Sequence, residues 1–209
     1  CVIVIKYPNG KVYAAQTPAP SSSPSTKKTP KKDVSFSNRG KTLEDELNEA
    51  NDYYLAHKLA VIHKKPVPLQ IVKVEYPSRS AAVVREAYFR TPSTTDYNGV
   101  WQSRYIDFEA KETENKTSFP LKNIHPHQVA HMQAVADQGG TTFFIVRFSK
   151  LNRYFLMPLP VLQDAWQSMH NGGRKSIPLA TFEQHCYEMT LGYYPRLDYL
   201  KAVEHFYTS

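Results

Sequence analysis

The chain has 209 residues, enough for one ordinary domain or one domain plus a tail, and a domain of that size buries a core that needs no covalent staples. Its only cysteines, Cys1 and Cys186, exclude a disulfide framework and a CxxC metal knuckle, and they fit a reducing, intracellular setting. Lys and Arg number 26 against 19 Asp and Glu, a net charge of +7, which favours a polyanionic partner, either nucleic acid or an acidic membrane surface.

The apolar run "CVIVI" at residues 1–5 is too short for a signal-peptide core or a membrane span, so the chain reads as soluble with no membrane partner. The sequence does not explain why it begins at Cys1 and not at Met. Residues 14–32, "AAQTPAPSSSPSTKKTPKK", hold no acidic residue and no large apolar side chain, and cannot repay the entropy of ordering. Residues 1–37 are therefore read as a disordered basic arm. It is either a solvated linker or a salt-sensitive phosphate contact through Lys27, Lys28, Lys31 and Lys32.

The globular part, residues 38–209, opens with a helix. Thr42 is a good N-cap, acidic Glu44, Asp45 and Glu46 suit the first turns, and Leu43, Leu47 and Tyr54 form one apolar stripe. "LAVIHKK" (59–65) reads as a short buried strand. Residues 66–90, bounded by prolines, are β-branched in their first half and able to turn helical from Ser80. They carry Lys73, Arg79, Arg85 and Arg90 beside Tyr76, Tyr88 and Phe89, a mixture that can grip phosphates and stack on bases, or else place aromatics in a core and cations in solvent. Pro126 opens a helix that ends at Gly139 and Gly140. "TTFFIVRF" (141–148) and "RYFLMPL" (153–159) read as paired strands, followed by a helix around 161–170 and a last amphipathic helix near 196–207. The order indicates an α/β domain built on a mixed sheet.

The stretch "TTDYNGVWQSRYIDFEAK" (94–111) admits two hairpin registers. A turn at Asn98-Gly99, the stronger turn dipeptide, puts Asp96 opposite Trp101 and leaves Glu109 without an acidic neighbour. A turn at Gln102-Ser103 puts Asp96 opposite Glu109, Asn98 opposite Asp107 and Thr94 opposite Lys111, all on one face. The other face then collects Ile106, Phe108 and Ala110 against Gly99, Tyr97 and Thr95, with Gly99 serving as a bulge or as space for Ile106. The second register is preferred because it sorts polar from apolar on both strands.

Opposed carboxylates with Cβ atoms only ~5 Å apart repel unless a cation or a shared proton lies between them. Few hard oxygen ligands suit Mg²⁺, which takes one or two carboxylates plus substrate phosphate oxygens. Lys111, on the same face as Glu109, can steady an attacking water or offset charge on a phosphate. Asp96, Glu109-x-Lys111 and a basic chain together describe metal-dependent phosphodiester hydrolysis; a solvated strand with alternating charges is the bland alternative. Gln128, beside the stripe of Val129, Met132 and Ala136, is a further oxygen donor aimed toward the sheet. His125, His127 and His131 include an i, i+4 pair, but no HExxH pattern accompanies it, and they read as surface or phosphate-facing histidines.

The segments "NRGKTLEDELNEAN", "AVIHKKPVPLQIVKVEYPSRSAAV", "EAYFRTPSTTDYNG", "YIDFEAKET", "KTSFPLKNIHPHQVAHM" and "LGYYPRLDYL" resemble the RecU family of bacterial Holliday-junction resolvases, from about residue 38 to the C-terminus in uninterrupted order. The resemblance implies a restriction-endonuclease-like mixed central sheet flanked by helices, with a protruding stalk at about 66–90 between two core strands. It implies a homodimer in the bacterial cytoplasm, associated with the nucleoid, that cuts four-way DNA junctions with Mg²⁺, Mn²⁺ being able to substitute, and leaves 5′-phosphate and 3′-hydroxyl ends. The metal site falls on Thr94, Asp96, Glu109 and Gln128, with Asp96, Glu109 and Lys111 catalytic and Glu46 able to orient a metal-bound water. Thr94 stands where the wider nuclease motif has Pro. Arg79, Tyr88 and Phe89 of the stalk become DNA contacts, joined by Arg39, Lys64, Lys73 and Arg85. The strand-exchange recombinase and a branch-migration helicase are the implied protein partners. Two rival functions remain: a nuclease for other DNA structures, and a non-catalytic recombination modulator.

Overall fold

In chain order, the computed structural model, which describes residues 41–78, 81–89 and 94–207, runs α1 (Leu43–Ala56), β1 (Val61–Lys64), β2 (Leu69–Ser78), β3 (Ala81–Phe89), β4 (Tyr97–Trp101), β5 (Arg104–Thr113) and β6 (Ser118–Pro120). A single 3₁₀ turn (Leu121–Asn123) precedes α2 (Pro126–Asp137), β7 (Thr141–Phe148), β8 (Arg153–Pro158), α3 (Leu159–His170), β9 (Ser176–Pro178), α4 (Leu179–His185), β10 (Tyr187–Met189) and α5 (Tyr199–Tyr207). The basic arm expected at 1–37, and Arg39, Arg79 and Arg90, lie outside the described residues. No helix among the described residues is long and apolar enough to cross a membrane.

Six strands form the central sheet in the order β1-β4-β5-β7-β8-β10. Only β5 and β7 run parallel, joined by the α2 crossover; the other neighbours are antiparallel, so the sheet is mixed. Strands β7 and β8 alternate between two cores, whereas β4 and β5 give their apolar side chains to the first alone. Ile106, Phe108, Phe143 and Ile145 meet Leu43, Leu47, Tyr54, Tyr199 and Val203 of α1 and α5. Phe144, Val146, Phe155 and Met157 meet Met132, Leu162 and Phe182 of α2, α3 and α4 on the other side. The sequence elements expected at 141–148, 153–159 and 161–170 appear as β7, β8 and α3, while the short β6, β9, α4 and β10 carry too few residues to show a period.

The α1 start follows from its first residues. Thr42 caps the Asp45 amide while the Asp45 carboxylate accepts from the Thr42 N–H at 3.0 Å, a reciprocal capping box. Glu112 of β5 then accepts from the Leu43 N–H at 2.6 Å and from Arg147 of β7 at 3.0 Å, which fixes the helix N-terminus on the sheet.

Two expectations are corrected. The segment 59–65 is not a buried strand: β1 is the sheet edge, paired with β4 alone, and only Ile62 of its four side chains is buried. The helix expected from Ser80, itself outside the described residues, does not form over 81–89; β3 pairs antiparallel with β2 as a separate two-stranded ribbon, Val84 opposite Val74 and Val83 opposite Glu75. Cross-strand pairing of β-branched side chains outweighs the helix preference of its Ala, Arg and Glu residues. The ribbon is inserted between β1 and β4, which are sheet neighbours, and its register shifts near Val72 and between Glu75 and Ser78.

Candidate active site

The β4–β5 hairpin turns at Gln102-Ser103, both with positive φ (46° and 64°), and pairs Tyr97 with Phe108, Asn98 with Asp107 and Gly99 with Ile106. This is the register preferred from the sorting of polar and apolar side chains. Burying Tyr97, Trp101, Ile106 and Phe108 outweighs the better turn chemistry of Asn98-Gly99. Gly99 does not make room for Ile106. A Cβ there would lie 2.0 Å from the Val61 carbonyl oxygen and 2.5 Å from the Ile62 Cα, so the glycine admits the backbone of β1.

Glu109 stands on the central strand β5, 1% exposed. Its Oε1 meets the Lys111 ammonium at 2.8 Å and its Oε2 accepts from the Asp96 backbone N–H at 3.0 Å. The expected triad of Asp96, Glu109 and Lys111 is therefore brought together by direct bonds. Burial pushes the Glu109 carboxyl up, Lys111 draws it down, the neighbouring Asp96 charge pushes it up again, and the net shift is upward. The protein thus holds two carboxylates against each other where one of them is starved of water.

Thr94, half-buried, donates its hydroxyl to the Thr95 carbonyl at 3.3 Å. Thr95 departs from the expected apolar face: it lies before β4 begins, outside the strand alternation, and its hydroxyl donates to Asp107. Gln128 is buried in the first turn of α2, where its Oε1 accepts from the His125 N–H at 3.0 Å. That bond turns the amide oxygen back over the helix start and leaves it a second lone pair. His125 and His127 stack at 5.5 Å; desolvation first, then His125, Lys111 and His131, hold the His127 imidazole below its usual range. His131 points instead at Asp107, with Nε2 at 3.2 Å from the carboxylate.

Glu46 lies on the buried stripe of α1, with Oε1 accepting from Arg196 at 2.8 Å. The α1 acid that lines a cleft with Asp96 is Glu44, in a cavity of about 260 Å³ bounded also by Thr42, Tyr97, Ala110 and Glu112. Helical phase was the available signal: Leu43, Glu46, Leu47, Ala50 and Tyr54 share one face, and Glu44 does not. Lys64, at the end of β1, pairs with Glu44 at 2.5 Å. On the ribbon, Lys73 and Arg85 meet Glu75 at 3.7 and 2.7 Å, and the Tyr88 hydroxyl donates to Glu86 at 2.6 Å. Phe89 ends β3 opposite Leu69. Sequence reasoning gave no role to Asp107 or Lys65, which pair at 2.9 Å beside the triad.

An acid just before β4, a Glu-x-Lys motif on the central strand β5 of a mixed sheet, and a ribbon inserted between β1 and β4 define an α/β protein with a compact two-carboxylate-and-lysine centre. The chain belongs to the RecU family, whose description is Recombination protein U and whose model matches residues 38–205. Similar curated proteins include the Holliday junction resolvase RecU of Bacillus cereus (strain B4264), 51% identical over 207 residues that cover 99% of this chain and 100% of that one. The Holliday junction resolvase RecU of Geobacillus kaustophilus (strain HTA426) is also 51% identical, over 98% of each chain. Among solved structures, the chain is similar to Hjc of Archaeoglobus fulgidus, a Holliday junction resolvase, at 8% identity with a TM-score of 0.38, covering 66% of this chain and 92% of that one.

Proposed function

We propose that this protein is a divalent-metal-dependent endonuclease that resolves four-way DNA junctions as a homodimer. The observation that carries the chemistry is the Glu109 carboxylate, buried, held between the Lys111 ammonium and the Asp96 amide, with the Asp96 carboxylate alongside. Resemblance over nearly the full length to proteins named Holliday junction resolvases supplies the substrate.

The donor set fits a hard cation. Asp96 and Glu109 are adjoining carboxylates whose mutual repulsion calls for a positive charge, and the Thr94 and Gln128 oxygens are neutral hard donors of the kind Mg²⁺ or Mn²⁺ accepts. Bound there, the ion would neutralise the scissile phosphate and lower the cost of charge building on it. Lys111 contributes what the protein itself holds ready: a cation, 18% exposed, tethered to Glu109, that supports the attacking water and offsets developing negative charge. Glu109 keeps that lysine pointed into the site, and the Asp96 backbone keeps Glu109 in place.

The dimer reading rests on the ribbon and on the substrate. Leu69, Ile71, Val72 and Val84 are each at least half exposed, on a two-stranded unit that has too few strands to bury them itself. A second copy gives those side chains a surface and gives a junction two symmetry-related sites for its two matching strands. The strand-exchange recombinase and a branch-migration helicase complete the proposed partners.

The test uses purified protein, Mg²⁺ and end-labelled DNA: a mobile four-way junction, a linear duplex of the same sequence, and a flap. Paired symmetric nicks confined to the junction are expected. Equal cutting of the linear duplex would make the protein a nuclease of another specificity, and binding without cutting would make it a recombination modulator.

A further inference from the structure

Asp107 is fully buried, and three donors converge on it with a histidine ring nitrogen beside them. Lys65 Nζ lies 2.9 Å from Oδ2, the Tyr105 hydroxyl donates to Oδ2 at 2.9 Å, His131 Nε2 stands at 3.2 Å, and the Thr95 hydroxyl donates to Oδ1. Lys65 Nζ also donates to the Thr95 hydroxyl at 3.1 Å, so Lys65, Thr95 and Asp107 close a ring. The backbone of Lys65 extends the same clamp, its N–H donating to the Asp96 carbonyl at 2.7 Å. Both backbone polar groups of Asp96 are thereby engaged: the carbonyl by Lys65, the N–H by Glu109. A residue held at both peptide groups has little freedom in the direction of its side chain.

We propose that Lys65 and Asp107 are positioning residues: the ring they close with Thr95 fixes the backbone at Asp96 and so aims its carboxylate at the site of reaction. The inference rests on the endonuclease reading above, in which Asp96 holds the metal. Asp107 shares the polar face of β5 with Glu109, yet the bonds it accepts from Thr95 and Lys65 tie it to the 94–96 segment. Lys65 begins the connection from β1 into the ribbon, so one side chain joins the ribbon's root to the segment carrying Asp96. In a chain this basic, the competing role for Lys65 is a direct phosphate contact, and the two roles separate experimentally.

The variants are Lys65→Met, Lys65→Arg, Thr95→Val and the Lys65→Met/Thr95→Val double. Lys65→Met leaves the buried Asp107 carboxylate without its cation and Thr95→Val removes a hydroxyl donor to it, so each variant is assayed below its own unfolding transition, which thermal melting sets, and Lys65→Arg keeps the cation. Misplacing one reacting group costs up to about a hundredfold. Lys65→Met is expected to slow single-turnover junction cleavage about tenfold or more and to raise the Mg²⁺ concentration for half-maximal rate several-fold. Junction affinity without metal stays within about twofold with its salt dependence intact, and Lys65→Arg recovers most of the rate. The double variant is expected to be no slower than the slower single, because both cut one ring. The inference is overturned if Lys65→Met keeps the wild-type metal requirement, if junction affinity drops and the salt slope falls by about one, or if the single effects multiply. Should the wild type cut no junction at all, the endonuclease reading fails separately. Calorimetric Mn²⁺ titration of the free protein then still decides the positioning role, several-fold weaker binding by Lys65→Met supporting it and equal binding overturning it.

Discussion

Gly99→Ala tests whether the approach of β1 to the hairpin is as close as described. The added Cβ would stand 2.0 Å from the Val61 carbonyl oxygen and 2.5 Å from the Ile62 Cα, both backbone atoms that no rotamer change can move. The nearer contact is about 1.5 Å short of the ~3.5 Å at which heavy atoms pack. Two relaxations are open. The strands can stay paired under strain, and overpacking of this kind costs about 1–3 kcal/mol. Alternatively β1, an edge strand held by β4 alone, can lift away and expose Ile62, whose burial is worth about 1.5–3 kcal/mol. The two routes together span about 1–3 kcal/mol, and at ~2–4 °C per kcal/mol for a chain of this size the melting midpoint should fall by about 2–12 °C. Because the Lys65 N–H reaches the Asp96 carbonyl from the end of β1, cleavage should fall as well at temperatures where the variant stays folded. Circular-dichroism melting with Val100→Ala, an exposed neighbour, as control measures the effect. A Gly99→Ala midpoint within 1 °C of wild type would refute the close approach.

Three further outcomes are expected. Tyr88→Ala and Arg85→Ala, on the exposed ribbon, should leave the melting midpoint unchanged while weakening the preference for a junction over linear duplex, by about 1–3 kcal/mol for the aromatic; intact discrimination in both would remove the ribbon from DNA recognition. Arg196→Met leaves the buried Glu46 carboxylate without its cation and should cost about 2–4 kcal/mol at pH 7, partly restored by adding Glu46→Gln; an unchanged unfolding midpoint would contradict the pairing. Burial pushes the Cys186 thiol up to about 12, so at pH 8 only about one molecule in ten thousand carries the reactive thiolate. Iodoacetamide should therefore label the Cys186 peptide slowly, with the rate rising toward high pH, and labelling as fast as a free cysteine would contradict the burial.

The hairpin was legible because its two strands sort polar from apolar in only one of two registers, and the sheet buries the apolar set. The α1 cap and the α2 start were legible for a local reason: Thr42 and Pro126 act within their own first turns. What stayed hidden depends on distant partners. The second half of the ribbon has a composition that tolerates helix, and only pairing with β2 decides it. Glu46 entered as a site acid through the family resemblance alone, and on α1 it sits on a different face from Glu44, Glu46 against Arg196 and Glu44 at the cleft. Lys65 and Asp107 are separated by the whole ribbon and the hairpin turn, so their ring could not be read before the strands were in register. The roles of Gln128 and Thr94 as metal ligands rest on donor chemistry and on family resemblance, and their variants belong in the same cleavage assays.

The most direct test of the central claim measures Asp96→Ala and Glu109→Ala on one labelled four-way junction, scoring cleavage with Mg²⁺ and binding without it in parallel. Both variants are expected to lose cleavage while binding the junction within a few-fold of wild type, since neither carboxylate attracts a phosphate in the absence of metal. Either variant cutting the junction at the wild-type rate would contradict the assignment of the site.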